Sequence, residues 1–571
     1  MDLTSDIIHE IIHPTAAFSA ASQEHNAHRA IDHPRQLPLA DWEASPLNPK
    51  NRIDSLDPLC DPLWCIHGCT AFGTQFYVLP LFLSSVPPMR IDAFIPEQSS
   101  QSRELRELLD LDVAFHTKDR ARVQQLNISR HILRALQRWT KSLPDPEGLF
   151  GSIPFGSRIV FKNLALDLKD IQIEIAPTYY LERQLLSPSA LGHMWGPAVE
   201  LPECIDISEA HVVEQIHDSV CLVRIRGTLW ILKTLTSYTK YLYHELKLLL
   251  SARPHPSIMS RPAHLLTKKC SFGSKLAVVG FTLEFHKFGT MRDIVPYLQA
   301  SGTLSQAEQF KWATQITTGV IHHRETSGTF YPDLRLDNVV LSESRDAIMV
   351  DFEQRGVWCE FASPEINALE YVRLLATDEE VPEHVKDRYA EILRRMCPGF
   401  ESLQDREEYT NPATYNISWQ CLSPGEQEAS EVYMLGRVLW CIFEGASAPQ
   451  QASFWSSYRR EANIEFPAYL RTPPKMRTLI DHCTRGRRPT LSTKIGREGS
   501  KVTIKDAQGP YDQQDIRRAS AAWWRKELSW AEDFLATREK MKAAGEWKDN
   551  HFDRPSLHDV LRQLQKLRDE M

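Results

Sequence analysis

The stretch "TFYPDLRLDNVVL", residues 329–341, decides how this chain is read. It sets Asp333 five residues before Asn338, between an apolar lead-in and a β-branched run. Further on, "VDFE" brings another acid, Asp351, at the end of an apolar, strand-like segment. Two acids and an amide gathered by a loop and a strand end suit Mg²⁺, a hard cation that takes oxygen ligands and keeps waters and phosphates in its remaining positions. Taken one at a time, each of these residues is an ordinary turn or capping residue. Their combination is what carries chemistry.

Upstream, "WILK" ends a strand-like segment at Lys233, and "YLYHELKLLL" offers Glu245 on the following helix. Taken with the loop, these blocks resemble the protein-kinase superfamily, whose catalytic loop reads H-R-D-L-x-x-x-N and is followed by D-F-G. Other blocks fall in the matching order. "VVGFTLEFHKFGTMRDI" resembles the strand and hinge between the two kinase lobes, with Leu283 at the gatekeeper position and Glu284, Phe285 and His286 in the hinge. "ASPEI" resembles A-P-E, "EVYMLGRVLWCIFEG" the central helix of the large lobe, and "LIDHCTRG" with "RPSLHDVLRQL" its closing helices. Glu365 and Arg554 match the buried ion pair of that lobe. More narrowly, the chain resembles divergent fungal kinase-like proteins that join such a domain to an amino-terminal domain.

The resemblance implies an α+β, bilobal kinase-like fold over 205–571, with a small β-rich lobe (205–285) and a large helical lobe (286–571). It also implies roles. Lys233, fixed by Glu245, would hold the α and β phosphates of ATP, while Asp351 and Asn338 would coordinate Mg²⁺. Asp333 would accept or orient the proton of an attacking hydroxyl, and Arg335 would place positive charge near the γ-phosphate. Val220 and Ile231 would cover the adenine, Val340 would lie beneath it, and the hinge backbone at Glu284, Phe285 and His286 would meet its edge. The implied activity is a Ser/Thr-type protein kinase using Mg-ATP. Two alternatives stand beside it: a pseudokinase acting as a binding scaffold, and a small-molecule phosphotransferase of the aminoglycoside- or choline-kinase type.

Several positions depart from the kinase pattern. The segment matching the glycine-rich loop, "VEQIHDSVCLV", has no glycine to let backbone amides close over phosphates, and Asp218 adds negative charge there. Ile231 replaces the usual alanine above the adenine, and Tyr331-Pro332 replaces His-Arg. Glu353 replaces the glycine of D-F-G, removing a permissive backbone position. The activation segment from Asp351 to Glu365 is short, and its only hydroxyl is Ser363, inside the closing motif. Loop phosphorylation is therefore not the expected switch.

With 571 residues the chain exceeds what one hydrophobic core supports, ~250–300 residues, so two or three units are expected. Residues 1–56 are polar and proline-dotted and read as a poorly ordered lead-in with one short helix. Residues 57–204 read as a separate α+β amino-terminal domain. Insertions are expected near 370–427 and 486–550, and the amphipathic "SAAWWRKELSWAEDFLATREKMKAA" is expected to pack on its own domain. A protein partner would bind through the amino-terminal domain or these insertions. In "CDPLWCIHGC", alternation puts Cys65, His67 and Cys69 on one strand face, near Cys60, but without the paired spacing of a zinc site a buried face is the better reading.

A formal net charge of −8 gives no general attraction for nucleic acid or an anionic bilayer. The one compact basic run, Arg485 to Arg488, reads as a solvated loop. No stretch reaches the ~18 apolar residues of a membrane span. The acidic start lacks a signal-peptide pattern, and the 11 scattered cysteines fit reduced thiols. A cytoplasmic location is expected, with the nucleus a second candidate.

Overall fold

The computed structural model describes residues 10–18, 59–69, 73–83, 91–116, 120–271, 273–379, 381–449, 464–498, 501–505 and 507–570. The chain is mixed α+β with several sheets. The first is five-stranded, in the order β1 (Trp64–Cys69), β2 (Gln75–Pro80), β3 (Ile91–Phe94), β4 (Arg158–Phe161) and β5 (Ile173–Ala176). All its pairings are antiparallel except β3 with β4, whose connection carries helix α1 (Asn127–Ser142). The apolar stripe of α1, including Ile128, Ile132, Ala135 and Leu136, closes one core over Ile66, Phe76, Val78 and Ile159.

The expected border near residue 204 lies too late. Leu181, Leu185, Leu191 and Trp195 join the core of the following unit, so packing changes hands soon after β5. The lead-in also needs correction. Residues 1–9 and 19–56 of it lie outside the described residues, but residues 10–18 are packed, with Ile11 buried beside Leu491, Ile495 and Ile516.

The second sheet has six strands in the order β6 (Glu203–Asp206), β10 (His264–Lys269), β11 (Leu276–Glu284), β9 (Thr228–Thr234), β8 (Val220–Ile225) and β7 (His211–His217). Only β6 runs parallel to its neighbour. Helix α2 (Thr239–Ser251) follows β9 and buries Leu242, Tyr243, Leu246 and Leu249. Two short pairs complete the strands: β12 (Val339–Leu341) with β13 (Ala347–Met349), and β14 (Ile495–Glu498) with β15 (Lys501–Ile504).

The remainder is helical. After α3 (Met291–Ala300), α4 (Gln306–Ser327) opens on a Ser305–Glu308 capping box and ends at Gly328, whose φ of 64° few other residues adopt cheaply. Then come α5 (Pro364–Thr377), α6 (Glu383–Met396), α7 (Pro424–Glu444), α8 (Pro474–Cys483), α9 (Gln513–Ala543) and α10 (Leu557–Asp569). Helix α7 is buried from Ala429 through Glu444 without a break: apolar residues recur all round it, and the polar ones among them, such as Glu431 and Arg437, have partners.

Both expected insertions pack inward. Helix α9 carries the amphipathic segment and lays Trp524, Leu528, Ala531 and Leu535 into the main core, with Trp524 edge-on to Tyr371 at 5.1 Å. Its far end holds the start of α7: Arg538 grips Glu426 through bonds of 2.6 and 2.7 Å, joined by Lys542 at 2.9 Å and the Trp547 indole at 2.8 Å. The earlier insertion leans on α2. The Lys240 ammonium donates to the Leu403 carbonyl at 3.1 Å, and Tyr409 meets Tyr243 edge-on at 5.6 Å.

Burial alone would raise the Glu426 carboxyl, but Arg538, the Ser423 N–H and Lys542 pull it down to about 2 from an ordinary 4.5. A carboxylate whose value is depressed by folding stabilises fully above its unfolded value and loses that contribution as pH falls through the folded one. Glu426→Gln is therefore expected to cost ~3 kcal/mol near neutral pH and much less near pH ~2, read by urea unfolding at both. An equal cost at the two would contradict this.

Candidate functional site

The site grows out of strand register. Pairing of β9 with β11 sets Lys233 opposite Phe281 and Ile231 opposite Leu283, and pairing with β8 sets Val220 opposite Lys233. Because side chains alternate along a strand, Ile231 and Lys233 share one face. Helix α2 packs against that sheet and carries Glu245. The Lys233 ammonium lies 2.5 Å from the Glu245 carboxylate.

The loop residues arrive by a second register. The β12–β13 ladder pairs Val339 with Met349, which returns the chain so that Asn338, before β12, and Asp351, after β13, stand at the same end. The Val350 N–H donates to the Asn338 carbonyl at 2.9 Å and fixes that juxtaposition. Asp351 then reaches Lys233, with its Oδ1 2.6 Å from Nζ. Sheet, helix and loop thus converge on one ammonium.

A third carboxylate shares it. Glu353 Oε1 lies 3.0 Å from Lys233 Nζ, and Glu353 Oε2 lies 3.1 Å from Arg355 Nε. Glu245, Asp351 and Glu353 are the one group among the described residues with three potential metal-ligating side chains close together. The zinc-like cluster does not form. A bulge between Ile66 and Gly68 breaks the alternation of β1: Cys65 Sγ and His67 Nε2 stay 3.4 Å apart, with His67 Nδ1 accepting the Gln215 N–H of β7 at 3.0 Å, but the Cys69 thiol donates to the Ala114 carbonyl instead.

Charge follows from these contacts. Burial would lower the Lys233 pKa, but Asp351, Glu245 and Glu353 outweigh it and keep the ammonium charged. Burial raises the Glu245 carboxyl, helped by Asp351 and Glu353 and opposed by Lys233. Asp351 is held below the usual range: burial pushes it up, and Lys233, Arg335 and Arg355 more than compensate. Its backbone has a φ of 65°, a left-handed conformation that aspartate tolerates better than most residues.

Asp333 and Asn338 form their own pair, the amide donating to the Asp333 carboxylate at 2.9 Å and to its carbonyl at 3.0 Å. Burial raises the Asp333 carboxyl despite Arg335. Arg335 is engaged by acids: its Nε lies 3.0 Å from Asp333 and its Nη1 3.4 Å from Asp337, and its guanidinium stacks 4.6 Å over the Trp358 ring. The hinge candidates stand apart from this cluster. Glu284 ends β11 exposed, and Phe285 and His286 are half-buried beyond it, while the ion pairs of Lys233 go to Glu245, Asp351 and Glu353. Val340 bridges to Thr290 just past them.

The segment matching the glycine-rich loop is a tight hairpin turn at Asp218-Ser219. The buried Gln215 amide fills it from within, donating to the His217 and Val220 carbonyls. At the other departure, the left-handed backbone falls on Asp351 and Gln354 rather than Glu353, so position 353 does not need glycine's freedom. Ser363 is fully buried, capping α5 and donating to Ser430 at 3.0 Å, which removes it as an accessible phosphorylation point.

Three residues support the site through contacts that the sequence does not display. Glu353 reads in the sequence only as a lost glycine, yet it reaches Lys233. The Tyr331 hydroxyl donates to the Val350 carbonyl, bracing the backbone just before Asp351, and its ring meets Phe352 at 5.1 Å. Glu431 on α7 accepts the Tyr331 N–H at 2.8 Å and pairs with Arg324 at 2.6 Å. An acid at the head of the apolar run "EVYMLGRVLW" is the signal the sequence offers, since a buried charge survives only with partners. The ion pair expected between Glu365 and Arg554 is present and bidentate, at 2.6 and 3.0 Å, with Arg554 also donating to the Arg485 and Ala429 carbonyls.

Tyr331→Phe removes one hydrogen bond and is expected to cost ~1 kcal/mol. Glu431→Ala strips a buried loop amide and Arg324 of their partner and is expected to cost ~3 kcal/mol or more. Denaturant unfolding of the two variants ranks them, and equal costs would contradict the anchoring role of Glu431. No protein-family model matches this chain, and no curated protein matches it.

Proposed function

We propose that the chain is an ATP-dependent phosphotransferase with a bilobal, protein-kinase-like fold, acting on a protein Ser/Thr hydroxyl. The observation that carries this reading is the convergence of Glu245 and Asp351 on the Lys233 ammonium at 2.5 and 2.6 Å. Those side chains come from a helix and a loop separated from the lysine by up to 118 positions. The six-stranded sheet with α2 would be the small lobe and the helices from α3 onward the large one.

The residues present fit a magnesium-bound nucleotide, since Asp351 and Asn338 offer hard oxygen donors at the end of the β12–β13 ladder. The cation, when bound, neutralises charge on the phosphates. The chain's own residues do the rest. Lys233 supplies a fixed positive charge, kept in place by Glu245, whose second oxygen accepts the Phe352 N–H at 2.9 Å. Asp333, oriented by the Asn338 amide, takes the proton of the attacking hydroxyl, and its raised pKa strengthens it as a base. Arg335 balances Asp333 and Asp337 and adds positive charge beside the reacting group.

A scaffold without catalysis is the second reading, favoured by the filled hairpin turn at Asp218-Ser219 and by the third carboxylate on Lys233. Nucleotide binding and transfer separate the two. With the purified full chain, magnesium-dependent ATP binding and phosphoryl transfer to itself or a generic protein are expected. Asp333→Asn should lower transfer by about a hundredfold or more while leaving binding within a few-fold, whereas Lys233→Met should lower both. Binding without transfer in the parent protein would favour the scaffold, and transfer indifferent to both substitutions would overturn the assigned roles.

A further inference from the structure

Lysine has three N–H donors, and at Lys233 three carboxylates already face them, at 2.5 Å (Glu245), 2.6 Å (Asp351) and 3.0 Å (Glu353). The side chain is 5 % exposed, so water has little part in this arrangement. A phosphate oxygen can reach the ammonium only if a carboxylate gives way. Counting Arg355 beside Glu353, three carboxylates face two cations, which still disfavours an incoming anion.

The three are not equally free to move. Glu245 is fully buried, and its other oxygen holds the Phe352 N–H, so withdrawing it would strand a charge and a backbone donor. Asp351 sits on left-handed backbone fixed between the Val350 bond to Asn338 and the buried Phe352 ring. Glu353 makes the longest of the three contacts. Its second oxygen already rests on Arg355, whose side chain is 40 % exposed and can follow it.

We infer, resting on the function proposed above, that Glu353 occupies the seat on Lys233 that a nucleotide phosphate takes, and yields it by moving onto Arg355. Glu353 is thus an affinity-determining residue of the nucleotide site. It competes with phosphate for the lysine, and Arg355 sets how readily it lets go. Two substitutions then act in opposite directions. Glu353→Gln keeps the shape and removes the competing charge, whereas Arg355→Ala removes the alternative partner and leaves Glu353 on the lysine.

The test is calorimetric titration of the full-length parent, E353Q and R355A with Mg-ATP at one ionic strength, with circular dichroism confirming that all three are folded. E353Q is expected to bind about tenfold tighter than the parent and R355A about threefold weaker. Binding by E353Q alone, with none detected for the parent, would also support the inference. Equal or weaker binding by E353Q, or equal or tighter binding by R355A, would overturn it while leaving nucleotide binding by the parent to stand. Absence of binding in all three folded proteins would overturn both the inference and the function beneath it.

Discussion

One buried ammonium organises the second half of this chain. Lys233 comes from the middle of a sheet, Glu245 from the helix behind it, and Asp351 and Glu353 from the exit of a short ladder. A charge with so little access to water persists only among opposite charges, so the lysine forces the sheet, α2 and the loop to keep a common geometry. Removing Lys233 would leave three buried or half-buried carboxylates without the cation they share.

The helices supply the rigidity that this cluster needs. Helix α7, buried all round, offers Glu431 to the backbone of Tyr331, and Tyr331 in turn braces the carbonyl before Asp351. The same helix is gripped at its start by Arg538 of α9 through Glu426. Both segments expected as insertions pack toward the cluster: one fastens α7, and the other lies against α2 through Lys240, Tyr409 and Tyr415. Even the chain's start contributes, for the Ile11 carbonyl accepts bonds from Ser520 and Trp524 on α9.

What the sequence disclosed was whatever local spacing encodes. The strand-like run ending at Lys233 and the helix carrying Glu245 were legible as β9 and α2, and the fixed interval from Asp333 to Asn338 located the loop. The Glu365–Arg554 pair was legible because each partner sits in a recognisable flank. Non-local facts were hidden. Nothing in "VDFE" says that Glu353 turns back onto Lys233, because that contact depends on where β9 and the β12–β13 ladder meet. Nothing in residues 179–195 says which core they enter, since the same apolar residues would satisfy either. The bulge in β1 likewise defeats strict alternation and sends Cys69 away from Cys65 and His67, which remain paired. The packing of residues 10–18 was obscured by the polar, proline-dotted stretch that follows them.

We propose the Lys233 cluster as the seat of a magnesium-bound nucleotide. Thermal unfolding of the parent and of Asp351→Asn, each with a non-hydrolysable ATP analogue and with or without magnesium, tests it most directly, because a ligand bound only by the folded state raises its stability. The account predicts a raised midpoint for the parent only when analogue and magnesium are both present, and no such rise for the variant. A parent midpoint unmoved by the pair, or a rise of the same size in the variant, would contradict it.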